Sequence, residues 1–343
     1  MTSRTRYFVV TSLLVLAVGL GTGLVAYFVG FPTNALTRAG GPDELRFIPR
    51  NATLVAYANV TDVMTSQLRE HLRQVLPSEP NGRREFEEQT GINIETDIDR
   101  VLACIAPSLD GSSAIPGVGL ILARGRFNDV KIESLMRDHG ATVEDYKGVR
   151  LIVAPRESRT DSPAGSPRSG LHEDFSVAFI EPGLLAIGSG PLVRHAVDLR
   201  AGGDNVTANE ELMGLVESLE SGNVWAVGRF DVLAGQARLP GDLASRLPAI
   251  TWFSATGLVN GGISGVLRAE ARDEAAAENL RDVIRGFVAL AKMQAGSKPE
   301  ILAMVQSLQL GGTGKTVALS FDVPEAVFEL LGQAAANRAF PGK

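Results

Sequence analysis

The pattern of apolar and polar residues after position 46 predicts short strands that alternate with amphipathic helices. TLVAYANV at 53–60 is rich in β-branched and aromatic residues and predicts the first strand, followed by a helix over TDVMTSQLREHLRQVL. GVGLILARGRF at 117–127 predicts another strand. NDVKIESLMRDHG at 128–140 predicts a capped helix that ends at Gly140.

Several pairs of predicted strands are joined by turn residues and therefore predict β-hairpins. The turns fall at Lys147–Gly148, at Glu181–Gly183 and at Asn260–Gly262. Because adjacent hairpins alternate with helices, the sequence predicts an α+β fold of antiparallel sheet-plus-helix layers rather than a doubly wound parallel sheet.

The longest amphipathic pattern is EAAAENLRDVIRGFVALAKMQAG, which begins at Glu274. It predicts a helix with one apolar face. The residues of that face are Leu280, Ile284, Phe287, Val288 and Ala291.

Two pairs of similar segments suggest an internal duplication that relates the two layers. RGRFNDVK (124–131) is similar to VGRFDVL (227–233), and IGSGPLVRHAVDL (187–199) is similar to LSFDVPEAVFELL (319–331). The alternative is that strand-to-helix junctions share these residues for local reasons.

The N-terminal segment Tyr7–Phe31 contains 25 residues without a charge. About 20 apolar residues span a bilayer as a helix, whereas a cleaved signal peptide has an apolar region of about 7–15 residues. The segment therefore predicts an uncleaved transmembrane signal-anchor; a cleaved signal peptide and a buried helix are the alternatives. Arg4 and Arg6 precede it, which places the N-terminus in the cytoplasm and the body outside it.

These patterns divide the chain into four parts. Residues 1–31 form the cytoplasmic tip and anchor, and 32–46 form a linker rich in Pro, Gly and polar residues. Residues 47–203 and 204–343 form two α+β domains. The first domain contains a predicted mobile loop at 157–174, rich in Ser, Pro, Gly and charge.

The net charge of −6, without a basic cluster, argues against binding to nucleic acid. Cys104 is the single cysteine, so the chain forms no internal disulfide, and its apolar neighbours predict a buried thiol. An extracytoplasmic protein without disulfides is more typical of bacteria than of the eukaryotic secretory pathway.

The hexapeptide GGTGKT at 311–316 is similar to a nucleotide-binding P-loop, which requires G-x-x-x-x-G-K-[ST] followed by a helix. Gln309 stands where the first glycine is required, and TVALSFDV after the loop predicts a strand. The segment therefore predicts a hairpin turn, and no bound nucleotide is expected.

Other candidate chemistry is equally incomplete. The four histidines His71, His139, His172 and His195 lack metal-ligand spacing, and Ser189 lacks the leading glycine of a nucleophile elbow. ETDIDR at 95–100 lacks the glycine and distal glutamate of a calcium loop and is interpreted as a solvated helix start. The sequence therefore predicts no catalytic, cofactor-binding or metal-binding residue, and no cofactor.

Three segments carry a resemblance to a group of bacterial envelope proteins: FIPRNATLVAYANVTDVMTSQLREHL, EEQTGINIETDIDRVL and FSVAFIEPGLLAIGSGPLVRHAVDL. These proteins have an N-terminal membrane segment and a domain of unknown function. The likeness covers most of residues 46–335 and implies no catalytic residues. The chain lacks a lipobox cysteine near residue 30, so its anchoring depends on the apolar segment.

These observations predict a non-enzymatic accessory or scaffold protein of a bacterial envelope complex, held in the inner membrane by residues 7–31 with its C-terminal body in the periplasm. A protein partner of unspecified identity is expected. One alternative is a periplasmic module that binds a small molecule or lipid. Another is a hydrolase whose site uses carboxylates such as Asp97, Asp99 or Asp231.

Overall fold

The computed structural model describes residues 41–70, 80–107, 118–154, 175–232, 249–294 and 299–327. The predicted anchor at 7–31 and the predicted loop at 157–174 lie outside these ranges. Within them, no helix is both long enough and apolar enough to span a bilayer.

The main helices and strands follow one another through both halves of the chain. In order they are β1 (Leu54–Asn59), α1 (Val60–Met64), α2 (Pro80–Thr90), β2 (Ile98–Ala106), β3 (Val118–Gly125), α3 (Asp129–Asp138), β4 (Thr142–Tyr146), β5 (Val149–Val153), β6 (Phe175–Glu181), β7 (Leu184–Ser189), α4 (Gly190–Asp198), α5 (Glu210–Glu217), β8 (Val224–Arg229), β9 (Ile250–Val259), β10 (Gly262–Ala271), α6 (Glu274–Gln294), α7 (Pro299–Ser307), β11 (Gln309–Gly311) and β12 (Thr316–Pro324). Antiparallel strand pairs with helices between them confirm the α+β prediction.

The described chain divides into two compact units. The first unit contains residues 42–56 and 80–213, and the second contains 57–79 and 214 onwards. The division at Met213 lies ten residues after the predicted boundary at 203, and it falls inside helix α5. The segment after Ala56 belongs with the second half of the chain, which local sequence patterns do not indicate.

The first unit is built on the strand order β1-β2-β3-β7-β6-β5-β4. Two predicted hairpins are confirmed: β4 pairs with β5 through Lys147 and Gly148, which both have positive φ, and β6 pairs with β7. Helix α3 begins at the predicted cap, where the Asn128 side chain accepts a hydrogen bond from the Lys131 amide at 2.9 Å. The core includes Leu120, Leu122, Leu151, Ile180 and Leu184.

The second unit is built on the order β11-β12-β10-β9-β8. The predicted hairpin at Asn260–Gly262 joins β9 to β10, with Val259 opposite Ile263. On one side of the sheet, Ala277 and Leu280 of α6 pack against Ala271 and Val317.

Helix α6 forms over the predicted segment, but Phe287 on its predicted apolar face is exposed. Phe287 lies two turns beyond the buried Leu280 on the same face, so periodicity groups the two residues. Among the described residues of α6, Ile284 is the last that packs against this core cluster. The predicted apolar face is therefore longer than the part that the sheet covers, because a sequence pattern does not show where the supporting sheet ends.

The predicted linker at 32–46 includes residues that are structured. Asp43–Phe47 forms a 3-10 helix, closed where the Leu45 amide donates to the Pro42 carbonyl at 3.0 Å. Leu45 and Phe47 are fully buried, so this segment contributes to the core of the first unit.

Two predicted helical segments also differ from the structure. ETDIDR begins in a turn and continues into β2, with the Asp97 amide donating to the Asn93 carbonyl at 2.8 Å. The helix predicted after Thr61 is interrupted at Thr65 and Ser66, whose hydroxyls donate to the carbonyls of Thr61 and Val63. Such side-chain bonds compete with the helical pattern.

Candidate functional site

The GGTGKT segment is the turn of the β11–β12 hairpin, as predicted. Gly311 pairs with Ala318, and the Thr316 amide closes the turn by donating to the Thr313 carbonyl at 3.0 Å. Gly312 has a φ of 89°, and a Cβ at this position would overlap the Thr316 carbonyl. Thr316 begins a nine-residue strand, so the helix that a P-loop requires is replaced by β12.

An open cleft of about 520 Å³ lies between this turn and helix α6. Arg281 forms its floor, since its guanidinium donates to the carbonyls of Gly314 at 3.0 Å and Thr316 at 2.9 Å. The other side chains that line the cleft are those of Glu278, Arg285, Leu310 and Thr313. The Arg281 side chain therefore fixes the turn to the helix.

The charges of this cleft are neutralised within helix α6. Glu278 accepts hydrogen bonds from Arg285 at 2.9 Å and Arg281 at 3.0 Å, and Arg285 also donates to Asp282 at 2.7 Å. The bond from Arg285, followed by that from Arg281, lowers the pKa of the Glu278 carboxyl. Because both cations are already paired, the cleft offers an incoming anion no free guanidinium.

A second cluster of charges lies in the first unit around Glu44. Its Oε1 atom accepts hydrogen bonds from Arg124 at 2.8 Å and Arg100 at 3.1 Å. Arg124 also donates to Glu181 at 3.3 Å, and Arg46 donates to the other oxygen of Glu181 at 2.7 Å. The cluster joins the 3-10 helix to β2, β3 and the end of β6.

Glu44 is almost fully buried, and its other oxygen, Oε2, has no hydrogen-bond partner in the structure. Burial raises the pKa of the Glu44 carboxyl, but the hydrogen bond from Arg124 and the charge of Arg100 outweigh it and lower the pKa overall. The carboxylate stays ionised at neutral pH and links the 3-10 helix to β2 and β3 through its bonds with Arg100 and Arg124. It is therefore unsuited to acid catalysis, which needs a raised pKa.

Sequence patterns do not predict this cluster, because Glu44 lies within the predicted linker at 32–46. The only signal was the pair of apolar residues Leu45 and Phe47 beside it, which are unusual in a solvated linker.

The carboxylates considered for a hydrolase are held by arginines. Arg126 lies 3.4 Å from Asp97 and 3.8 Å from Asp99 in the first unit. Asp231, in the second unit, accepts bonds from Arg229 at 3.1 Å and from the Val232 amide at 2.8 Å. The bond from Arg229 is the main reason that the pKa of Asp231 is lowered. A carboxylate with a lowered pKa is a poor proton donor, so the geometry at Asp231 favours a structural role.

The other candidate residues are also explained by local structure. Ser189 is the N-cap residue of α4, and within the described residues its buried hydroxyl has no hydrogen-bond partner. His139 ends α3, with Nδ1 2.7 Å from the Leu135 carbonyl. His195 lies in α4, whereas His71 and His172 lie outside the described residues. In the described ranges no group of three His, Cys, Asp or Glu residues could hold a metal ion.

Cys104 is buried in β2, as predicted. Desolvation raises the pKa of its thiol to about 12, so the thiol is protonated and unreactive at neutral pH.

Comparisons with known proteins add a weak structural likeness. No protein-family model matches the chain, and no curated protein matches it. A solved structure titled "Structure of crystal form I of TP0453" is similar, with a TM-score of 0.42 and 11% sequence identity. The likeness covers 87% of this chain and 98% of that chain.

Proposed function

We propose that the protein is a non-enzymatic, membrane-anchored accessory or scaffold subunit of a bacterial envelope complex, with its body on the extracytoplasmic side. The observation that carries the proposal is the uncharged run of 25 residues at 7–31, preceded by Arg4 and Arg6. The resemblance of residues 46–335 to bacterial envelope proteins is consistent with it.

The charge arrangement of the body supports a role without catalysis. Glu44, Glu278 and Asp231 each have a lowered pKa because arginines hold them as anions. An acid–base catalyst instead needs a group whose pKa lies near the working pH. These side chains therefore stabilise the folded units, and the surfaces of folded units are what a scaffold offers to a partner protein.

The anchor is tested by producing the full-length chain in a bacterial host and washing its membranes with alkaline carbonate. We expect the wild-type protein to stay in the membrane with an intact N-terminus by mass spectrometry. A variant with Leu14→Arg and Leu16→Arg should be released, because charges at the centre of a span are costly. Wild-type release, or a mass that lacks about 30 residues, would contradict the anchor.

The scaffold role is tested by chemical cross-linking in membranes and purification in mild detergent. We expect a partner protein to co-purify in a fixed ratio. A matched control replaces residues 7–31 by an unrelated single-pass segment of equal length, which separates contacts of the body from contacts of the anchor. Recovery of a monomer alone, from both proteins, would refute the scaffold role.

We also propose that the two halves of the body arose by duplication. Two features support it. The strand orders β1-β2-β3-β7-β6 and β8-β9-β10-β12-β11 have the same topology, with β4–β5 as an addition to the first. The similar segments 187–199 and 319–331 also begin within β7 and β12, which are equivalent strands in these orders.

The other similar pair, 124–131 and 227–233, follows β3 and β8, which are not equivalent strands. Superposition of an experimental structure tests the duplication: the five strand pairs should align together in this order. Alignment of fewer than four would contradict it.

A further inference from the structure

Helix α6 exposes a row of large apolar side chains along its second half. The exposed fractions are 42% for Val283, 68% for Phe287, 48% for Leu290 and 81% for Met293. Their spacing of four, three and three residues places them on one side of the helix. Gly286 lies beside them at an open position, since a Cβ added there would have no neighbouring atom within 4 Å. We call Val283, Gly286, Phe287, Leu290 and Met293 the α6 stripe.

The α6 stripe adjoins the face of α6 that packs on the sheet. That face is formed by Ala276, Ala277 and Leu280 of the core cluster and by Ile284, which packs against it. At 100° per residue, the stripe lies within an arc of about 120° that contains no charged residue. The apolar surface of α6 is thus wider and longer than the face that the sheet covers, and the stripe is the part that stays exposed.

The charges of α6 are divided along its length. Its acidic residues, Glu274, Glu278 and Asp282, all precede the stripe. From Val283 to Gln294 the only charged residues are Arg285 and Lys292. Arg285 is paired with Glu278 and Asp282, so the exposed apolar half combines the stripe with one further cation, the exposed Lys292. This combination is typical of helices that lie on anionic lipid.

We propose that the α6 stripe docks on the anionic surface of the bilayer that holds the chain. The inference rests on the proposed anchor, because only nine residues separate Phe31 from Gly41, the first described residue. Nine extended residues span about 30 Å, so the body stays next to the lipid. A tether of this length raises the effective lipid concentration and compensates for a small contact area.

The size of the stripe also favours lipid over a second copy of the chain. Its four large side chains expose on the order of 400 Å² of apolar surface, given 150–250 Å² for a whole aromatic residue. A stable protein interface buries about 800 Å² on each partner. Insertion of Phe287 and Met293 into the headgroup region requires no minimum buried area, because the affinity for lipid rises with the apolar area inserted.

The test places an environment-sensitive fluorophore on α6 in the full-length protein, reconstituted in vesicles of phosphatidylglycerol and phosphatidylethanolamine. Met293→Cys labels the stripe, and Arg285→Cys labels an exposed position about 140° around the same helix from the centre of the stripe. Val130→Cys labels an exposed position in the first unit. The native Cys104 is buried and gives no background labelling. Spin-labelled lipids then quench any fluorophore that contacts the bilayer.

We expect lipid quenching at position 293 to exceed that at 285 and 130 by at least threefold, and to weaken when phosphatidylglycerol is omitted. Equal quenching at 293 and 285 would overturn the proposal. The fluorophore at position 293 could instead become shielded from water only at a high protein-to-lipid ratio, without quenching by lipid. That result would assign the stripe to contact with a second copy of the chain and would also overturn the proposal.

Failure of the anchor is detected separately. The same vesicles are washed with alkaline carbonate after the quenching measurement. Release of the protein would refute the anchor, whatever the quenching shows. Retention with an unquenched position 293 would refute the docking alone. A second stripe variant, Phe287→Cys, guards against a local effect of the label at Met293.

Discussion

Replacement of Glu44 by glutamine should destabilise the first unit, because it removes the charge at the centre of a buried cluster. Arg124 is 21% exposed and donates to Glu44 at 2.8 Å, so this bond contributes about 1.5–3 kcal/mol. Arg100 is 40% exposed, and solvent screening limits its pairing to about 0.2–1 kcal/mol. The unpartnered Oε2 atom offsets part of this gain. We therefore expect Glu44→Gln to cost about 1–3 kcal/mol at pH 7.

The dependence of this loss on pH follows from the lowered pKa of Glu44. A carboxyl whose pKa is lower in the folded state stabilises the protein above its unfolded pKa, near 4.5. The contribution is lost as the pH falls through the folded pKa. Wild-type and Glu44→Gln proteins should therefore differ most at neutral pH and converge in strong acid.

The assay is chemical denaturation of the full-length protein in mild detergent, followed by far-UV circular dichroism from pH 3 to pH 7. Glu88→Gln is the matched control, since Glu88 pairs with Arg84 at 3.1 Å on the surface of the same unit. The control should change stability by less than about 0.5 kcal/mol. A Glu44→Gln loss no larger than the control, or a loss that persists unchanged at pH 3, would refute this reasoning.

Three further predictions concern the second unit and use the same assay. Gly312→Ala should cost about 1–3 kcal/mol because of the positive φ and the overlap with Thr316, whereas no measurable loss would contradict the turn. Leu280→Ala should cost about 2–4 kcal/mol and Phe287→Ala less than about 0.5 kcal/mol, since only Leu280 is buried; equal losses would contradict the exposure of Phe287. Asn223→Leu should raise stability by about 1 kcal/mol, because the buried amide of Asn223 has no hydrogen-bond partner in the structure; a clear loss would reveal a bound water instead.

Features that depend on a few neighbouring residues could be predicted from the sequence. The turn at Gly312 and Gly314 is an example, because positive φ angles and the β-branched strand after Thr316 are local properties. The cap of α3 at Asn128 is another. The same local properties exclude a P-loop without reference to the tertiary structure.

The extent of the core under α6 could not be predicted in this way. Leu280 and Phe287 have the same helical phase and similar hydrophobicity, yet one is buried and the other is exposed. The edge of the sheet is set by the lengths of strands that are distant in sequence. The apolar pattern within the helix carries no information about those lengths.

The sequence by itself determined the antiparallel hairpins, the helices between them and the predicted anchor, because each follows from the conformational preferences or hydropathy of consecutive residues. The tertiary structure decided that Glu44 is a buried ion-pair centre, since Arg100 and Arg124 reach it from 56 and 80 residues away. It also decided that β7, rather than β4, lies beside β3. Contacts of this kind depend on how separate strands assemble, and local propensity does not specify that assembly.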